Sequence, residues 1–228
     1  MTPRDLESEW RAALEELGLG GAKLLQARRE HPVQRVYRGG DRVYKLHLKC
    51  SAKDAERSRR LGVGFETTLE CHDLSGVPRA LWRENRPNVY VCVYEALQAR
   101  PIHSPDHRWS TVVGGLMQLS KLLARLSWRG IAHNDLFPGN VLLADNGRCF
   151  LIDFDSATRG SRWFAFRRNF LRGRRKVTDG KPKWAYIDLV FALVSQRLRD
   201  WLRPHPDGTV GRAGASVNGT SPSSKERN

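Results

Sequence analysis

His133-Asn134-Asp135-Leu136-Phe137-Pro138-Gly139-Asn140, followed by Ile152-Asp153-Phe154-Asp155, is the stretch on which the reading of this chain turns. The first part places a carboxylate and a carboxamide five residues apart where Pro138 and Gly139 predict a loop. Two short apolar runs follow, Val141-Leu142-Leu143 and Cys149-Phe150-Leu151-Ile152, separated by the turn signal Asp145-Asn146-Gly147. They read as a hairpin with carboxylates beyond both ends.

Outward from this core the periodicity changes. Upstream, Ser110 to Trp128 carries Val113, Leu116, Leu119, Leu122, Leu123 and Leu126 at helical spacing, and Gly130 ends it. Nearer the amino terminus, Val33 to Arg38 and Arg42 to Leu48 flank Gly39-Gly40-Asp41 and predict a strand hairpin, with Lys45 mid-strand. Residues 5 to 17 form an amphipathic leader helix on Leu6, Trp10, Ala13, Leu14 and Leu17. Ser51 to Leu74 is helix-permissive, with a break expected near Gly62 and Gly64. Strands are expected at Arg79 to Arg83 and Val89 to Tyr94, the latter a β-branched and aromatic run. Downstream, Trp184 to Leu202 returns to a helical pattern, and the Gly-, Ser-, Pro- and Thr-rich tail from Pro204 has little to bury and is expected to be disordered.

Phosphoryl transfer needs a carboxylate at the attacking hydroxyl, a carboxylate and an amide oxygen for Mg²⁺, and a cation on the nucleotide phosphates. Asp135, Asp153, Asn140 and Lys45 supply these groups. In type and order, His133, Asp135 and Asn140 resemble the protein-kinase catalytic loop, and Asp153-Phe154 resembles the start of the Asp-Phe-Gly metal motif. The resemblance implies an α+β, bilobal, protein-kinase-like fold with a small antiparallel-sheet lobe and a mainly helical one. It implies ATP and Mg²⁺ as cofactors, Asp135 as catalytic carboxylate, Asn140 and Asp153 as metal ligands, and Lys45 on the phosphates. His133 and Asp188 become supports of the catalytic loop. Glu66 is the expected carboxylate partner of Lys45, with Glu70 and Glu56 behind it, and Val93 to Leu97 resembles the hinge, with Glu95 and Leu97 at the adenine.

Three departures narrow the family. Asp155 stands where a glycine is usual, Asn134 replaces a common arginine, and no G-x-G-x-x-G precedes Lys45, so the phosphate-covering loop is unassigned. The Asp-Phe-Asp motif resembles the atypical branch of the superfamily, which holds lipopolysaccharide core kinases of the Kdo/WaaP type, RIO-type kinases and small-molecule phosphotransferases; with the basic run Arg167 to Arg172 after it, the chain is most similar to the lipopolysaccharide kinases, with RIO-type kinases second. The implied reaction is phosphorylation of an alcohol, a lipopolysaccharide-core sugar first and a protein Ser or Thr second. A non-catalytic pseudokinase scaffold is the non-enzyme alternative.

Composition bears on the partners. The 228 residues carry 39 Lys and Arg against 24 Asp and Glu, a formal charge of +15 that favours anionic partners. Residues 159 to 183 concentrate it, with Trp163, Phe164, Phe166 and Phe170 interleaved. The readings are an anionic glycolipid at a membrane surface, plain solvated surface, or RNA or a ribosomal particle. No run is apolar enough to span a bilayer, and the charged amino terminus is unlike a signal peptide. Cys50, Cys71, Cys92 and Cys149 have no paired spacing, and His47, His103 and His107 no metal-ligand spacing. The expected location is the cytoplasm, with peripheral contact at the inner face of the inner membrane. The expected divisions are 1–32 as leader helix and start of the small lobe, 33–97 as small lobe, 98–203 as large lobe and 204–228 as tail.

Overall fold

The computed structural model describes residues 3–28, 31–50 and 53–171, together with Tyr186, Leu189, Val190, Leu193, Val194 and Gln196. The upper part begins with α1 (Pro3–Glu16), in which Trp10 and Ala13 are buried and the left-handed Gly18 follows the helix end. Five strands form one antiparallel sheet: β1 (Lys23–Arg28), β2 (His31–Gly39), β3 (Arg42–Leu48), β4 (Ala80–Asn85) and β5 (Val89–Glu95). Their spatial order is β1-β2-β3-β5-β4. Strand alternation decides what each face holds. Leu46, Leu48, Val89, Val91 and Val93 pack with Trp10 and Ala13 of α1. Tyr90, Cys92 and Tyr94 pack on the other face against Leu61 and Phe65. Those two residues belong to α2 (Lys53–Glu70), so the sheet lies between two helices.

The expected break in α2 does not occur: the helix runs unbroken through Gly62 and Gly64. A helical glycine costs about 1 kcal/mol relative to alanine, which close packing offsets here. A Cβ on Gly62 would lie 3.0 Å from the Tyr90 hydroxyl, and one on Gly64 would lie 2.4 Å from Asp155 Oδ1. The edge strand β1 was also unforeseen, because Lys23 to Ala27 are all exposed and show no buried alternation.

The lower part contains β6 (Ala99–Pro101), α3 (Trp109–Trp128), β7 (Ile131–Ala132), β8 (Val141–Ala144), β9 (Cys149–Leu151), β10 (Thr158–Arg159) and α4 (Arg162–Phe170). The hairpin read at Asp145-Asn146-Gly147 is present as β8 and β9, with β6 added at its edge. Leu116, Leu119, Leu123 and Leu126 of α3 form one core with Val141, Leu143, Leu151 and Phe154. Leu189 and Leu193, within the expected late helix, join it. Cys71, Leu74 and Val77, just past α2, are buried in this lower core too, so α2 is fastened to both layers. The architecture is α+β, with a five-stranded antiparallel sheet above a mainly helical part, as the resemblance implied. Asp188, the basic residues beyond Leu171 and the tail from Pro204 lie outside the described residues.

Candidate active site

Lys45 lies on β3 opposite Cys92, on the sheet face that α2 covers. Its ammonium reaches down to the loop after β9, 2.7 Å from Asp153 Oδ1 and 3.1 Å from Asp155 Oδ2. Burial opposes this charge, but Asp153 and Asp155 outweigh it and hold the lysine pKa above its ordinary value. One ammonium between two part-buried carboxylates leaves negative charge in excess. Burial, with Asp153 adding to it and Lys45 opposing it, pushes the Asp155 carboxyl up to about 7.

Asp153 has φ 68° and Asn134 φ 61°, the two non-glycine residues with positive φ among the described residues. Left-handed backbone at a non-glycine residue costs energy that surrounding contacts must hold, and it concentrates at functional sites. The Asn134 side chain donates to Ser156 O at 3.0 Å and Thr158 Oγ1 at 2.8 Å, tying the loop around Asp135 to the segment after Asp153.

His133 is buried, and burial depresses its pKa, so the imidazole is neutral. Its Nε2 lies 3.0 Å from Ile152 O, which can only accept, so Nε2 carries the proton. Nδ1 is then the acceptor for the Asp135 backbone N–H at 3.3 Å. The ring stands edge-on to Phe154, with centroids 4.8 Å apart. One side chain thus links the backbones carrying Asp135 and Asp153. The Asn140 amide donates to Asp135 O at 2.9 Å and Oδ2 at 3.1 Å, while Ile152 N–H donates to Asn140 O at 2.9 Å. Lys45, His133, Asp135, Asn140 and Asp153 therefore form one connected constellation.

Oxygen donors suit a hard divalent cation. With the Asn140 NH₂ group turned to Asp135, its amide oxygen is the remaining side-chain polar atom, and Asp153 adds a carboxylate, so the pair fits Mg²⁺. Among the described residues no group of three or more His, Cys, Asp or Glu side chains forms a metal cage, and Mg²⁺ commonly relies on one or two carboxylates plus substrate phosphates.

Other expected residues lie elsewhere. Glu66 is not brought to Lys45; it pairs with Arg83 at 2.6 Å, because Gly64, and not residue 66, lies on the helix side that meets Asp155. Glu70 pairs with Arg159, and Glu56 with Arg59 and Arg60. Glu95 ends β5, where its carboxylate accepts from Arg79 N–H at 2.9 Å, and Leu97 follows outside the strand. A cavity of about 1200 Å³ lies on the other side of α2, lined by Val63, Glu66, Arg83, Tyr90 and Arg159.

Sequence reasoning missed Asn169. This α4 residue is 1 % exposed; its Oδ1 accepts the His133 backbone N–H at 2.9 Å, and its Nδ2 donates to Ile131 O and Ser127 Oγ at 2.9 and 3.0 Å. It braces the strand that leads into the loop from His133 to Asn140, the kind of support expected of Asp188. The available signal was the spacing of Ala165 and Asn169, which share the inward face of α4 while arginines and aromatics occupy the rest.

Residues 95–166 match the model of a phosphotransferase enzyme family, APH. That segment holds Asp135, Asn140, Asp153 and Asp155. The chain is similar to the solved structure of the bifunctional kinase-methyltransferase WbdD, at 17% identity and a TM-score of 0.49, covering 81% of this chain and 46% of that one. The chain thus spans less than half the length of that protein. No curated protein matches it.

Proposed function

We propose that this chain is an ATP- and Mg²⁺-dependent phosphotransferase that phosphorylates an alcohol, with a sugar of the lipopolysaccharide core as acceptor. The observation that carries the reading is the connected constellation: Lys45 on the Asp153 carboxylate, and Asp135 held to Asn140 and, through His133, to the backbone before Asp153.

Asp135 accepts or orients the hydroxyl proton while the acceptor oxygen forms its bond to the γ-phosphorus and the bond to the ADP leaving oxygen breaks. Lys45 meets the α- and β-phosphates. Asn140 and Asp153 would hold Mg²⁺, which would supply charge neutralisation at the transferred group. Preorganised positioning of this kind supplies most of the rate enhancement in phosphoryl transfer. Glu95 and Leu97 mark the adenine side, at the end of β5.

An anionic acceptor is supported by the net charge of +15 and by the surface of α4, where Trp163 is 64% and Phe166 39% exposed beside Arg162 and Arg167. Arginines can fork onto phosphates while aromatic rings settle among headgroups. No described helix is long and apolar enough to cross a membrane. We place the protein at the inner face of the inner membrane, in peripheral contact with a glycolipid.

The test is transfer of labelled γ-phosphate to purified lipopolysaccharide-core acceptors and, separately, to a protein mixture. Label on the glycolipid is the expected result. Label on protein alone would replace this acceptor with a RIO-like one, and nucleotide binding without transfer to either would favour a scaffold.

A further inference from the structure

We infer that Asp155 is the positioning carboxylate of Lys45, standing in for a glutamate from α2, and that Gly64 is what permits it. The inference rests on the nucleotide role proposed for Lys45.

The glutamates of α2 are committed elsewhere: Glu56 to Arg59 and Arg60, Glu66 to Arg83, and Glu70 to Arg159. Lys45 instead has both Asp155 oxygens within 3.1 to 3.2 Å. The helix meets this carboxylate with bare backbone. A Cβ on Gly64 would stand 2.4 Å from Asp155 Oδ1 and 2.9 Å from its Cα and N, all closer than a real Cβ approaches. Any side chain at position 64 would lift α2 or displace Asp155. The Asp in place of the usual motif glycine and the glycine inside α2 are therefore two halves of one arrangement, with the carboxylate moved from the helix to the loop that faces it.

The loop that carries Asp155 is pinned. Phe154 is buried against His133, and Asn134 grips Ser156 and Thr158 on the far side. The helix is pinned as well: Asp73, just past its end, forms an ion pair with Arg129, whose guanidinium also donates to Glu70 O at 3.1 Å. A lysine whose partner comes from the lower part, under a helix fixed to that part, keeps its geometry without any swing of α2. Asp153, the metal carboxylate in this reading, also meets the ammonium, through Oδ1 at 2.7 Å, whereas Asp155 gives Lys45 both of its oxygens and keeps the ammonium in place.

The experiment is a double-mutant cycle of Asp155→Asn and Lys45→Met on the full chain, reading ADP affinity by calorimetry with and without Mg²⁺, and thermal unfolding of the unliganded protein. Asp155→Asn keeps shape and removes charge; it should weaken ADP binding by about tenfold, the scale of one charge-assisted contact, and leave the Mg²⁺ concentration for half-maximal binding unchanged. In the Lys45→Met background the same substitution should add little, in ADP affinity and in unfolding alike. Gly64→Ala should reproduce the loss of ADP affinity. Additive losses in a protein that binds ADP would overturn the inference and leave the nucleotide reading standing. An altered Mg²⁺ requirement with normal metal-free ADP affinity would also overturn it, making Asp155 a metal ligand. A parent protein that binds no ADP would overturn the nucleotide reading and this inference with it, while the unfolding cycle would still report whether the two side chains couple.

Discussion

Truncating Asn169 to alanine should destabilise the protein well beyond the usual cost of a polar substitution. The side chain is almost completely buried and makes three hydrogen bonds, to His133 N, Ile131 O and Ser127 Oγ. Ser127 retains its bond to Leu123 O, so its hydroxyl is not stranded. Among the described residues the His133 N–H donates to Asn169 Oδ1 alone, and a buried orphaned donor costs about 1–3 kcal/mol. The Ile131 carbonyl loses a donor, and a small void remains. Together these amount to about 2–4 kcal/mol, which at 2–4 °C per kcal/mol for a chain of this size lowers Tm by roughly 5–15 °C. Differential scanning calorimetry of parent and variant measures it directly. Asn169→Leu separates bonding from volume, since it fills the space and restores no hydrogen bond; it should be as damaging as alanine. A Tm drop below about 2 °C in Asn169→Ala, or near-complete recovery in Asn169→Leu, would refute the view that hydrogen bonds from α4 brace the catalytic loop.

Two further predictions address other parts of the fold. Trp10→Ala should cost about 3–5 kcal/mol in denaturant unfolding, because the ring is 1% exposed between α1 and the sheet and little can collapse into its place; a cost below about 1 kcal/mol would mean that α1 is not part of the upper core. Burial pushes the thiols of Cys71, Cys92 and Cys149 up to about 11, 12 and 12, whereas Cys50 is exposed. At pH 7.5 a maleimide should therefore label Cys50 alone in the native protein and all four cysteines after denaturation, as counted by peptide mass spectrometry.

Legibility followed locality. Asp135 and Asn140 share one loop and Asp153 follows a hairpin with a clear turn, so their neighbourhood could be read from short-range pattern. Lys45 could be placed because the turn at Gly39-Gly40-Asp41 sets a hairpin in which it falls mid-strand. Glu66 could not be judged that way. Its role depended on the phase of a helix whose two glycines suggested a break, whereas the helix runs whole, with Gly62 against Tyr90 and Gly64 against Asp155. The strands β1 and β6 left little trace because they are short or exposed and owe their form to pairing with neighbours. Asn169 was concealed by composition. Within a stretch dominated by Arg and aromatic residues, the four-residue spacing from Ala165 is the one local trace of a buried amide, and its partners lie 36 to 42 residues away in the chain.

Phosphoryl transfer centred on Asp135 is tested by comparing Asp135→Ala with the parent for both transfer of labelled γ-phosphate and Mg²⁺-dependent ATP binding. A group that handles the acceptor proton contributes about 10²–10⁴-fold to rate and little to nucleotide affinity. Transfer should fall by at least about a hundredfold while the ATP Kd stays within about threefold of the parent value. Equal ATP affinity with unchanged transfer is the opposite result and would contradict the role given to Asp135.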